Sequence, residues 1–180
     1  MNFYGPKQLA DSFRAVRKNT ILIAEDIDED DFGFRPSPES RSVGQLLAHI
    51  LFLTRFDRGL HETERVTTLE GLDFTKVLKE SEAEEHKLHS KSELIADLKE
   101  SGDSLARWVE NLPEEVLCER VIQPNGASKT RFEMIVSIKE HEMHHRGQLT
   151  VMERMLGIVP HLTRGRRTVK TEGTTAAEKQ

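Results

Sequence analysis

Apolar residues recur at helical spacing in four long stretches of the chain, and nowhere settle into the strict alternation of a strand. The first stretch opens with Pro6, well placed in a first helical turn, and carries Leu9, Phe13, Val16, Thr20, Ile23 and Ile27 on one face. It runs into Glu25-Asp26-Ile27-Asp28-Glu29-Asp30-Asp31, six acids in seven residues. Acids at a helix C-terminus oppose the macrodipole, so the helix is expected to stop near Ile27. A cation site is conceivable in such a run, but a solvated, self-repelling turn is the ordinary expectation.

After an irregular stretch around Phe34-Arg35-Pro36, Ser42 and Gln45 form a capping box that opens the second helix. Leu46, His49, Leu53, Phe56 and Leu60 share one stripe, and Leu47, Leu51 and Thr54 form another. A helix with two apolar faces is either central or covered by a second subunit. Residues 66–89 are weakly patterned: Phe74, Val77 and Leu78 predict a short helix or packed loop, and Glu80 to Glu85 are expected to be exposed. The third long helix begins near Ser90 or Ser92, runs through Leu94, Leu98, Leu105 and Trp108 with an interruption at Gly102, and ends before Pro113. Leu117 to Val121 predict one turn or a short extended piece, followed by a turn at Gln123-Pro124-Asn125-Gly126. Thr130 and Glu133 cap the fourth helix, which runs to about Leu156, before Gly157. The pattern predicts an all-α four-helix bundle over residues 1–162 and a flexible basic tail over 163–180.

Composition narrows the class. At 180 residues, 36% hydrophobic and 32% charged, the chain is one domain with a sizeable core. Its net charge of −5 divides into +3 on residues 163–180 and −8 on the rest, which argues against nucleic acid as a partner. Cys118 is the single cysteine, so no internal disulfide forms; it is expected to be a small buried apolar residue in a reducing compartment. Asp11, Arg14, Arg17 and Lys18 interrupt any leader-like N-terminus, and no apolar run approaches the ~20 residues that span a bilayer. A soluble, cytoplasmic protein with no membrane partner is expected.

The candidate chemistry lies in histidine. On the fourth helix His141 and His145 are i,i+4 neighbours, about 40° apart around the axis. Met134, Ile138, His141, His145, Gln148, Met152 and Leu156 fall within a sector of roughly 80°, which predicts an inward stripe. His49 lies at the centre of its own stripe on the second helix. Three buried, unpaired imidazoles are costly, and a metal that takes them as neutral ligands removes that cost. The alternative is that each is satisfied separately in a core or cleft. His61, His86, His89 and His161 are expected to be exposed, and His144 lies at the margin of the stripe. Three histidines with no evident fourth ligand leave open coordination positions, the pattern of a catalytic metal. Glu142 and Gln148 are the nearest polar side chains able to position a reacting group, although a surface carboxylate and an ordinary helix amide are equally good readings.

Three segments together resemble the DinB-like (DinB/YfiT) superfamily of metal-binding four-helix bundles, over roughly residues 3–162. They are Phe34-Arg35-Pro36, Ser42-Val43-Gly44-Gln45-Leu46-Leu47-Ala48-His49-Ile50, and His141-Glu142-Met143-His144-His145-Arg146-Gly147-Gln148-Leu149. The resemblance implies His49, His141 and His145 as the ligands of one divalent ion, nickel or zinc, with waters in the open positions. It further implies a homodimer, which would cover Leu47, Leu51, Val136 and Met143; packing against residues 66–89 would do the same. For activity it implies either transfer of a low-molecular-weight thiol such as bacillithiol or mycothiol to a small-molecule substrate, or metal-dependent hydrolysis. A non-enzymatic, stress-response metal-binding role is the third possibility.

Overall fold

The structure, a computed structural model, describes residues 4–165. Four long helices form the bundle: α1 (Pro6–Asp26), α2 (Val43–Arg58), α4 (Lys91–Glu110) and α6 (Arg131–Met155). Two shorter ones, α3 (Phe74–Glu85) and α5 (Glu114–Cys118), lie between them in sequence. Both α1 and α2 pack against α4 and α6, and α3 lies on α2. Among the described residues no helix is long and apolar enough to cross a membrane.

The predicted starts are observed with their caps in place. Gln45 N–H donates to Ser42 Oγ at 3.3 Å while Gln45 Oε1 accepts from Ser42 N–H at 3.1 Å, and matching boxes open α4 at Ser90 and α6 at Thr130. α1 ends at Asp26, where the acidic run resumes as a 3₁₀ turn over Glu29–Gly33. The missing C-terminal cation comes from a distance: Lys91 Nζ donates to the carbonyls of Glu25 and Ile27 at 2.9 and 2.6 Å.

Elsewhere tertiary packing overrode local pattern. Gly102 does not interrupt α4; it makes room, because a Cβ there would lie 2.5 Å from Arg17 Cγ. The weakly patterned 66–89 segment contains α3, three turns long, with Asp73 capping Lys76 N–H at 3.0 Å. Across the predicted turn, β1 (Arg120–Ile122) and β2 (Ser128–Thr130) pair antiparallel, Val121 opposite Lys129, with Gly126 at φ 78°. Three residues per strand is too short for alternation to announce itself in sequence. Cys118 is exposed at the end of α5, and the neighbouring Leu117 fills the core instead. Residues 161–165 are helical, and residues 166–180 of the tail expected over 163–180 lie outside the described residues.

Leu47 and Leu51 are buried within the chain itself, in a cluster with Ile23, Ala24, Leu94 and Leu98. The second face of α2 is therefore covered by α1 and α4, neither by residues 66–89 nor by a second subunit. Of the four residues that a partner was expected to cover, Met143 is exposed and Val136 partly buried.

Candidate metal centre

α6 is rotated from its expected phase. Its buried line is Arg131, Ile135, Ile138, Glu142, His145, Leu149 and Met152, about 45° from the predicted stripe. His145 stays inside, His141 moves to the half-buried edge facing α2, and Glu142 takes the core position. This rotation brings the three predicted histidines together. His141 Nε2 lies 3.2 Å from His49 Nε2 and 2.9 Å from His145 Nε2, with ring centroids 4.4 to 5.0 Å apart.

Partners on the far side of two rings fix which nitrogen faces inward. His49 Nδ1–H donates to Glu85 Oε1 at 2.8 Å, and Ser81 Oγ lies 3.0 Å from both groups. Arg41 Nε in turn donates to Glu85 Oε2 at 2.6 Å. His145 Nδ1–H donates to Gln148 Oε1 at 2.9 Å, and Gln148 Nε2 reaches His144 Nε2 at 3.3 Å. The Nε2 atoms of His49 and His145 therefore carry lone pairs that point at His141 Nε2. One imidazole nitrogen can give at most one proton, so protons alone cannot satisfy all three atoms. A divalent cation can. Donors 2.0–2.1 Å from one ion at octahedral to tetrahedral angles are separated by about 2.8–3.4 Å, a range that includes the observed 3.2 and 2.9 Å.

The electrostatics favour the ligand form. Burial pushes His49 down to about 4, with Arg41 nearby adding to the effect and Glu85 opposing it. Burial, followed by His145 and His49, pushes His141 down to about 3, and burial also lowers His145. All three rings are neutral at pH 7, as metal ligation requires. For Glu85, burial alone would raise the carboxyl; Arg41, His49 and Ser81 outweigh it and hold it below the ordinary carboxylate range. A cleft of about 720 Å³ borders the cluster through Glu85 and Gln148, and Arg35, Arg41, His86, Leu46, Leu78 and Val151 also line it.

Several expectations about neighbouring residues change. Glu142 is 2% exposed and belongs to a different network, accepting from Arg17 Nε at 2.9 Å and Thr20 Oγ at 2.7 Å. It is not available to position a reacting group. Glu85, expected to be exposed, is the carboxylate that does touch one of the three histidines. The i,i+4,i+8 line of Val77, Ser81 and Glu85 was its sequence signal, since all three are the buried face of α3. His61, also expected to be exposed, is buried and accepts from Arg131 Nη1 at 2.9 Å. Burial and then the charge of Arg131 push His61 down to about 4. His86 is exposed as expected, while His161 is half-buried and paired with Asn19. His144 is exposed and touches the cluster through Gln148 and an edge-on ring contact with His145.

Three histidines shared by α2 and α6 define the class: a four-helix bundle with a candidate three-histidine metal centre between two of its long helices. The chain belongs to the DinB superfamily, whose sequence profile matches residues 12–149. It is similar to the uncharacterized protein YjoA of Bacillus subtilis, 26% identical over 155 residues that cover 83% of this chain and 90% of YjoA. The crystal structure of that DinB-like protein superposes with a TM-score of 0.62 at 21% identity, covering 84% of this chain and 94% of the other. An uncharacterized protein from Clostridium difficile 630 gives 0.70 at 15% identity, with 86% and 98% covered. The crystal structure of a Streptococcus pneumoniae protein gives 0.69 at 17%, with 86% and 93% covered. At these identities the structural likeness concerns the fold.

Proposed function

We propose that this protein is a metal-dependent enzyme that holds one zinc or nickel ion on His49, His141 and His145 and joins a low-molecular-weight thiol to an electrophilic small molecule. The observation that carries the reading is the convergence of three Nε2 atoms that protons cannot satisfy, beside an open cleft. When bound, such an ion lowers the pKa of a thiol or water presented to it. The chain's own groups supply orientation. Glu85 and Gln148 hold two imidazoles by their outer nitrogens, which sets tautomer and ring angle. Arg35 and Arg41, with Glu39, Glu82 and Glu85, give the cleft a wall of mixed charge that suits a thiol carrying both an amine and a carboxylate, and Leu46, Leu78 and Val151 give an apolar one. The hydrolytic alternative is less well supported, because Glu142 is committed to Arg17 and Glu85 to His49 and Arg41. A cytoplasmic setting belongs to the same proposal. So does a homodimer, supported by exposed Met143, Val151 and Met155 at four-residue spacing around Gly147 on α6.

The test is elemental mass spectrometry of untagged protein, followed by a thiol-conjugation assay with a chromogenic electrophile. Wild type is expected to hold a divalent ion that His141→Ala loses, and to conjugate thiol only when loaded. Wild-type ion content in His141→Ala and His145→Ala would remove the metal centre. Metal lost in the variants with no conjugation in the loaded wild type would leave a non-enzymatic metal-binding protein.

A further inference from the structure

We propose that Asp26, Glu153 and His161 form a second divalent-cation site, taking a borderline transition metal such as zinc through mixed oxygen and nitrogen donors. One donor atom of each side chain lies within 4.8 Å of the others. Glu153 is fully buried, yet neither of its carboxylate oxygens has a hydrogen-bond partner among the described residues. His161 Nδ1 is likewise buried and unpartnered.

The tautomer makes the arrangement specific. His161 Nε2 lies 2.9 Å from Asn19 Oδ1, an acceptor, so the proton sits on Nε2 and Nδ1 carries a lone pair. A lone pair and two carboxylates therefore converge in a place where, among the described residues, no side chain donates to the buried Glu153. A buried acceptor with no donor costs free energy, and a buried carboxylate costs more. Burial and the nearby Asp26 together raise Glu153 to about 7, with Arg164 and Arg154 opposing. Asp26 pairs through Oδ2 with Arg164 at 2.6 Å, and its other oxygen accepts no side-chain hydrogen bond among the described residues.

Two helix ends add to the demand for positive charge. Asp26 is the last residue of α1, and Glu153 lies in the last turn of α6, so partially negative carbonyl ends converge on the same place. Lys91 answers the carbonyls of Glu25 and Ile27, but not Glu153. Donors around one zinc ion sit about 3.0–3.5 Å apart, so small side-chain rotations close the observed cluster. Glu153 follows His145 by eight residues, about 12 Å along the helix axis, so the two centres hold separate ions.

Equilibrium dialysis of the full chain against zinc chloride, with stoichiometry read by elemental mass spectrometry, tests the site directly. Glu153→Gln keeps the shape of the side chain and removes its charge. It is expected to bind one zinc ion per chain fewer than wild type, as is His161→Ala. His141→Ala is expected to lose its ion from the other cluster and to keep this one, so the two centres fail or hold independently. Circular dichroism establishes that each variant is folded. Zinc content equal to wild type in folded Glu153→Gln and His161→Ala overturns the proposal.

Discussion

Two of the polar clusters inside the bundle lie side by side, and adjacent residues of α6 belong to each. Glu142 faces the Arg17 network, and His141 faces the histidines. Arg17 reaches every long helix. It pairs with Glu142 on α6, donates from Nη2 to Thr54 Oγ on α2 at 3.1 Å, and donates from Nη1 to Leu98 O and Ser101 Oγ on α4 at 2.9 and 2.8 Å. Every donor there meets an acceptor, and Thr20 fills a remaining position on the carboxylate. The histidine cluster is the reverse: the outer nitrogens of His49 and His145 are well paired and the three inner ones face one another. A buried network satisfied by protein alone ties helices together, whereas one left short of a cation points to a ligand. Burial and polarity are common to the two regions; only the donor–acceptor balance separates structure from function.

Breaking the first cluster should have the largest effect. Glu142→Ala strands a buried guanidinium, and loss of one member of such a pair typically costs about 3–5 kcal/mol. Urea denaturation of metal-free protein should show that loss, while His141→Ala under the same conditions costs less than about 1 kcal/mol, because it relieves an unsatisfied contact. Similar losses in the two variants would erase the distinction between the clusters.

Glu85→Gln sharpens the other side. It keeps the contact with His49 but removes the charge that orients the ring, so metal affinity should fall about 10- to 100-fold with little change in the metal-free melting temperature. Competition with a metal chelator reads the first quantity and calorimetry the second. An affinity equal to wild type would mean that Glu85 serves only to hold α3 on α2.

The smallest effect is a pH dependence. His49 and His61 sit near 4 and His141 near 3 in the fold, against about 6.5 when unfolded. The unfolded chain therefore binds more protons below pH 6.5, and stability is present above that value and declines as pH falls toward 4. Glu153 acts in the opposite sense, since its raised carboxyl is protonated in the fold before it is in the unfolded chain, between about 7 and 4.5. Metal-free Glu153→Gln should consequently lose stability more steeply on acidification than wild type, in a series of urea midpoints from pH 7 to 4.5. Parallel curves would show that Glu153 is hydrated.

Helix starts were readable because a cap is local: Ser42, Ser90 and Thr130 each satisfy their first turn from residues three positions away. The fold followed from four such stretches, and the three histidines from their spacing and resemblance. The phase of α6 was not readable, because apolar and polar residues occur on several of its sides and the stripe can be drawn about 45° either way. That ambiguity put Glu142 at the margin and Gln148 in the core, when the packing does the opposite.

By itself, the sequence determined which residues share a helix face, where the long helices begin, and that His49, His141 and His145 can meet. Tertiary structure alone decided what each face meets. It placed Glu85 behind His49, Glu142 on Arg17, Arg131 on His61, and Asp26 beside Glu153 across 127 residues of chain. The physical reason is the range of the forces involved. Helical periodicity and capping act within a turn, whereas the burial of a charge is settled by the partner that another helix brings to it.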